Sequence, residues 1–246
     1  MGSRGTSSSQ SRAAQGVAQA AAGASEQDAV SADMFDYSNS GTITDGTTVA
    51  RARLEAIAGR PVTDDEIRAL AGATGRGDVF ILPTIQGVHD AVRIKVDDAD
   101  YNMMRKIWRD GQGNLQMENE YFIATKPGGG LGTRVFAKQV DAAAKFGVSE
   151  IAVHAARDTG FNGYYTWARL GYKLEVNPSR TKSAGNEQYQ RDFKGVRDTH
   201  QLFSRSGGAA WWKEHGHDTT GSFDLSAGST SRRVLDSYLS EKGIRV

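Results

Sequence analysis

The chain contains no cysteine. That excludes disulfide bonds, thiol catalysis and cysteine-ligated zinc or iron centres, and it fits a reducing compartment. Proline is scarce, at 4 of 246 residues. No apolar run approaches the length needed to cross a bilayer, so no membrane partner is expected. A surplus of charge is also missing: 30 basic residues against 29 acidic ones leave a formal charge of +1. That balance offers no electrostatic reason for a nucleic-acid partner or an anionic membrane surface. What remains is a hydrophobic content of 38% with a mean hydropathy of −0.51, enough for one core of ordinary size plus polar extensions.

Residues 1–45 are small and polar, with almost nothing to bury between Met1 and Val30, so the entropy of ordering them goes uncompensated. They read as a low-complexity flexible arm, available to a protein partner. The stretch 13–25 is alanine-rich enough for a marginal helix, weakened by Gly16 and Gly23. Arg4 and Arg12 precede the first acid, Glu26, as in a transit or secretory peptide, but the apolar centre is mostly alanine and glutamine. Residues 46–76 read as a helical hairpin. Val49, Leu54 and Ile57 fall at helical spacing before Gly59, and Thr63 with Glu66 makes a capping box ahead of Ile67 and Leu70. The acidic start of the second helix argues against a DNA-binding helix-turn-helix.

From Asp78 the period changes to two. VFILPTI and HDAVRIKV read as strands, with Pro83 confining the first to an edge or an irregular piece. DYNMMRKIWRDGQGNLQMENEYFIAT reads as two more strands about the turn DGQG. Gly128, Gly129, Gly130 and Gly132 then leave the backbone bare where a strand hands over to a helix. A helix start of this kind turns its first amides, at Thr133 and Arg134, toward an anionic ligand, which is a phosphate-binding layout. The helix that follows has Phe136, Val140 and Ala143 or Ala144 on one face and Gly147 as terminator, and one further strand carries Ile151 and Val153. The expected fold class is α/β: a mixed sheet in which an antiparallel meander passes into a parallel strand-helix-strand unit, with helical extensions.

The loop Pro127-Gly128-Gly129-Gly130-Leu131-Gly132 resembles the signature of the GNAT superfamily of acyl-CoA N-acyltransferases: arginine or glutamine, two residues, glycine, any residue, then glycine or alanine. Gly130 and Gly132 match the two small positions. Pro127 stands where the basic or amide residue belongs, and Lys126 lies one position early. Trp167-Ala168-Arg169-Leu170-Gly171-Tyr172 is similar to the later family segment of an aromatic, two residues, leucine, glycine and an aromatic. On this resemblance residues 77–176 form a GNAT-like acyl-CoA-binding core with acetyl-CoA as co-substrate. The resemblance implies that the amides of Gly128, Gly129, Gly130, Gly132 and Thr133 hold the pyrophosphate. It further implies that Ile123 and Ala124 pair with the pantetheine arm and that Asn162 contacts the cofactor.

The implied reaction is acetyl transfer to a primary amine. It needs a base for the ammonium proton and often an acid for the leaving thiolate. Glu118 and Glu120, two apart on the strand before the loop, are the candidate bases. The family's tyrosine acid falls on Trp167, whose indole N–H is not an acid near neutral pH. Tyr164 and Tyr165 stand nearby, and Tyr165 is taken as the substitute. The alternative is a catalytically inactive GNAT-like module in a larger assembly such as a virus particle. The implied location is accordingly the cytoplasm, or the virion for the structural alternative.

Residues 177–246 read as an irregular extension with a C-terminal helix. Trp211 and Trp212 offer area to bury. His215, His217 and Asp218 lack further placed ligands, so no metal site is expected. Val234, Leu235, Tyr238 and Leu239 share one face of the last helix before Gly243.

Overall fold

A computed structural model describes residues 42–46, 49–126, 130–158 and 161–246. The expected arm up to residue 41, with its partner-binding role, and Gly128 and Gly129 of the glycine loop lie outside the described residues.

Strand β1 (Ile43–Asp45) takes up the last residues assigned to the arm and pairs in parallel with Val79–Ile81. Three residues are too few for a period to show in sequence. Helix α1 (Ala50–Ala58) buries Ala50, Leu54 and Ile57. Val49, expected on the same face, is 52% exposed because the helix starts one residue after it. Helix α2 (Asp64–Ala71) begins with the anticipated capping box, Thr63 accepting from the Glu66 N–H and Glu66 accepting from the Thr63 N–H. Arg60 lies 2.6 Å from Glu66, and with the Thr63 N–H it holds that carboxyl down at about 2.

Strands β2 (Asp78–Gln86), β3 (His89–Asp97), β4 (Tyr101–Arg109) and β5 (Leu115–Ala124) form the antiparallel meander. Pro83 sits opposite Val92 in the part of β2 that β1 does not reach. Its missing N–H therefore costs no ladder bond. The strand is internal at residues 79–81 and an edge beyond. Helix α3 (Leu131–Phe146) then leads to β6 (Val148–Ala155), parallel to β5.

After β6 come a two-residue pair, β7 (Arg157–Asp158) and β8 (Phe161–Asn162), helix α4 (Gly163–Arg169) and the short strand β9 (Lys173–Leu174). Helices α5 (Ser183–Gln188), α6 (Thr199–Phe203) and α7 (Gly208–His215) precede β10 (Thr219–Asp224), and α8 (Thr230–Glu241) closes the chain. The eight-stranded sheet runs β1-β2-β3-β4-β5-β6-β10-β9. One strand is expected after the loop; the sheet instead has three there, with β10 between β6 and β9. TTGSFD carries one large apolar residue, Phe223, which pairs opposite Ile151. No local period marks it as a strand.

One sheet face, with Val92, Ile94, Met103, Ile107, Met117 and Ile151, is fully buried. Arg105 shares that face and donates to the Leu70 carbonyl at 2.9 Å; burial pulls its pKa down to about 9. The Tyr101 hydroxyl donates to the Gly72 carbonyl at 3.1 Å and accepts from the Thr74 N–H at 2.9 Å. These bonds fasten the end of α2 to the sheet. The opposite face carries Arg93, Lys95, Glu118 and Glu120, all only partly buried, the pattern of an antiparallel sheet with one wet side.

The extension is not irregular. Trp211 and Trp212 are 2% and 0% exposed, and their indole N–H groups donate to the carbonyls of Gly185 at 3.0 Å and Tyr164 at 2.9 Å. Two rings of this size, each with its polar handle satisfied, are enough to anchor α5 and α7 on α4. Helix α8 buries Leu235, and its Tyr238 ring lies 4.9 Å below the Arg169 guanidinium.

Candidate functional site

The parallel pair β5/β6 does not stay paired. Its ladder runs from Leu115 and Val148 to Asn119 and Val153 and stops there, while β5 continues alongside β4 to Ala124. The two strands therefore part at their C-terminal ends, the location where open α/β sheets receive ligands. A register shift opposite Met104 and Arg105 leaves Glu120 as an extra residue on β5 at the parting. The bulge bends the strand away. Beyond it, the edge of β5 that faces away from β4 has no strand partner among the described residues. Ile123, 40% exposed, and Ala124, buried opposite Tyr101, both lie on this segment.

Helix α3 starts beside the gap. Gly130, at φ 68°, ψ 6°, takes the left-handed turn that changes chain direction there, a conformation that favours glycine. The first intrahelical donor is Arg134, whose N–H reaches the Gly130 carbonyl at 3.1 Å. The amides of Leu131, Gly132 and Thr133 precede it and have no intrahelical acceptor. No described side chain caps this end, so these donors and the positive end of the helix dipole stay available to an anion.

The floor of the gap is polar and fully buried. Asn119 donates to Gln139 Oε1 at 3.2 Å and to the Tyr172 hydroxyl at 3.0 Å, and Gln139 returns a bond to Asn119 Oδ1 at 2.8 Å. Burial drives the Tyr172 phenol far above its ordinary pKa, so it stays neutral. Phe136, one turn after Thr133, packs edge-on against Trp167 at 5.5 Å and against Phe223 at 5.3 Å. Two buried polar atoms at this corner have no hydrogen-bond partner among the described residues: Thr133 Oγ1 and Trp167 Nε1. An unmade bond of this kind costs about 1–3 kcal/mol.

Glu118 and Glu120 share the wet face, and Lys106 reaches both, at 2.6 Å and 3.4 Å. Glu120 is further clasped by Arg93, through contacts at 2.8, 2.9 and 3.1 Å. Among the described residues only Lys106 forms an ion pair with Glu118, although the Arg93 charge also acts on it, and Glu118 is the more exposed of the two, 26% against 15%. Among the tyrosines of α4, Tyr164 donates to the Lys213 carbonyl at 2.6 Å, and burial raises its pKa. Tyr165 is partly exposed, 5.9 Å from both Arg169 and Lys213, and its hydroxyl has no hydrogen-bond partner among the described residues. Asn162, just before α4, accepts from Thr166 Oγ1 at 3.0 Å, and its amide N–H donors have no acceptor among the described residues.

Among the described residues no group of three metal-binding side chains converges. No described helix is long and apolar enough to cross a membrane. The sequence pointed to the glycine turn and to the strand before it. It gave Tyr172 only as the closing aromatic of the segment from Trp167 and carried no signal for Asn119 and Gln139; the roles of all three depend on contacts across 20 and 53 positions. No protein-family model matches the chain. No curated protein and no solved structure matches it either.

Proposed function

We propose that this chain is a GNAT-like acyltransferase that moves an acetyl group from acetyl-CoA to a primary amine. One observation carries the reading: a parallel strand pair that parts after Asn119 and Val153, with the uncapped start of α3 at Gly130 beside the opening. The amides of Leu131, Gly132 and Thr133 supply donors for a diphosphate. The unpaired edge of β5 through Ile123 and Ala124 supplies the main-chain groups that an amide-bearing pantetheine arm requires, as when a peptide adds to a sheet edge. The side-chain amide of Asn162, whose N–H donors have no acceptor among the described residues, adds a further donor at this end of the sheet.

In the reaction the amine nitrogen attacks the thioester carbonyl, its proton passes to a base, and the sulfur leaves and gains a proton. Glu118 is the better base, because Glu120 is held by two cations. Tyr165 is the better acid, because the Tyr164 hydroxyl is spent on Lys213.

A second reading has its own support. Trp167 stands at the family's tyrosine position and is only 5% exposed, enclosed by Phe136 and Tyr172. An indole there binds without donating a proton, which suits a silent acyl-CoA-binding module of a larger assembly. Calorimetric titration with acetyl-CoA, followed by thiol release against a panel of amines, separates the cases. Binding with turnover supports the enzyme, binding without turnover supports the silent binding module, and no heat at millimolar acetyl-CoA defeats the enzyme and leaves only a structural module that binds no acyl-CoA.

A further inference from the structure

A second cleft opens just past the C-terminal end of β6. Its volume is about 660 Å³, within the range of small-molecule sites, and it is lined by Arg157, Arg180, Lys182, His215, His217 and Asp218 among others. Its floor is fixed. Arg157 donates its guanidinium to the carbonyls of Glu214, at 2.8 Å, and Gly216, and lies 4.9 Å from the centre of the Tyr164 ring. The Arg157 N–H is accepted by Asp218 Oδ1. His217 accepts from the Asn177 N–H through Nε2 at 3.0 Å, so its proton is on Nδ1, which donates to the Asp218 carbonyl at 2.8 Å. Gly216 lies so close to α4 that a Cβ on it would come within 2.6 Å of the Tyr164 ring. Such a floor is preorganised rather than adaptable.

The walls differ in sign. Arg180 and Lys182 are exposed and have no ion-pair partner among the described residues. The second oxygen of Asp218 is likewise without a partner there. A ligand of one sign would meet one wall favourably and be repelled by the other; a ligand carrying both signs satisfies both. We propose that this cleft binds a small zwitterion, an amine beside a phosphate or carboxylate group, with Arg180 and Lys182 on the anion and Asp218 on the ammonium. Its identity as the amine acceptor rests on the acyl-transfer reading. The cleft supports that assignment by its place, because it begins at the same strand end where β5 and β6 part, and Tyr164 joins the two through its N–H to the Ala156 carbonyl at 3.1 Å.

Calorimetric titration of the full chain tests this with four probes: O-phosphoethanolamine, β-alanine, ethanolamine and inorganic phosphate. At least one zwitterion is expected to bind about tenfold more tightly than ethanolamine or phosphate, the worth of one charge-assisted hydrogen bond. Comparing the two zwitterions tells a phosphate from a carboxylate. Arg180→Ala, on an exposed side chain, is expected to lower that affinity about tenfold while leaving acetyl-CoA binding and thermal stability unchanged. Asp218→Asn, which keeps the oxygen that accepts from Arg157, removes the preference over inorganic phosphate. Equal affinity for all four probes, or an Arg180→Ala variant that binds as the parent does, overturns the proposal. Loss of acetyl-CoA binding with zwitterion binding intact defeats the acyl-transfer reading alone.

Discussion

The side-chain amide of Asn119 donates to the Tyr172 hydroxyl at 3.0 Å, across 53 positions of chain. The bond ties the last paired rung of β5 to the turn between α4 and β9, so the place where the sheet opens is braced by a residue from the far side of the gap.

Asn119→Ala strands two buried partners, the Tyr172 hydroxyl and the Gln139 amide, and should destabilise the protein by about 2–4 kcal/mol. Tyr172→Phe leaves the Asn119–Gln139 pair intact and should cost only about 1 kcal/mol. Urea unfolding with unchanged m-values measures both. Equal losses for the two variants would mean that Asn119 does not organise the network.

Thr133→Val replaces a buried hydroxyl that has no partner among the described residues by a methyl group of similar shape. The free protein should gain about 1 kcal/mol, since nothing is lost but an unmade hydrogen bond. Thermal melts report the effect, and a destabilised free protein contradicts the orphaned hydroxyl.

Glu118→Gln should lower kcat at least about a hundredfold with little change in acetyl-CoA binding, as expected on removing a general base. Glu120→Gln acts differently. It leaves Arg93 half-paired and should lower stability by about 1–3 kcal/mol. Kinetics and denaturation run on both variants sort the two glutamates, and the reverse outcome exchanges their roles.

His217 has its pKa lowered, first by burial, from an ordinary value of 6.5, with Arg180, Glu175 and Asp218 as the charged groups around it. The unfolded chain takes up this proton more readily than the folded one. The stabilisation is therefore complete above pH 6.5 and is lost as the pH falls below that value. Comparing unfolding free energies from pH 7 down to about 5 should show a steeper loss for the parent than for His217→Gln. Parallel slopes would refute the assignment.

Local chemistry was legible wherever one or two turns of chain hold all the partners. Thr63 and Glu66 close their capping box within three residues, and Gly147 ends α3 at φ 94° as its position predicts. The DGQG turn joins β4 and β5, with Asp110 Oδ1 accepting from the N–H groups of Gln112 and Asn114, both at 2.9 Å. Strands β1 and β10 escaped because a three-residue strand and a strand with one large apolar side chain are defined by their neighbours rather than by a period. The extension keeps its expected last helix, but its other elements carry no local signal for a related reason: Trp211 and Trp212 find their acceptors 26 and 48 positions away.

The amino-acid order by itself determined the periods, the caps and the bare backbone at Gly130 and Gly132, because each depends on the intrinsic preferences of a few adjacent residues. Tertiary structure alone decided where β5 and β6 separate, which glutamate is clasped by Arg93, and that Arg157 and Asp218 meet across 61 positions to floor a cleft. Those outcomes come from packing and hydrogen bonds between distant segments, and such pairings exist only once the chain has closed on itself.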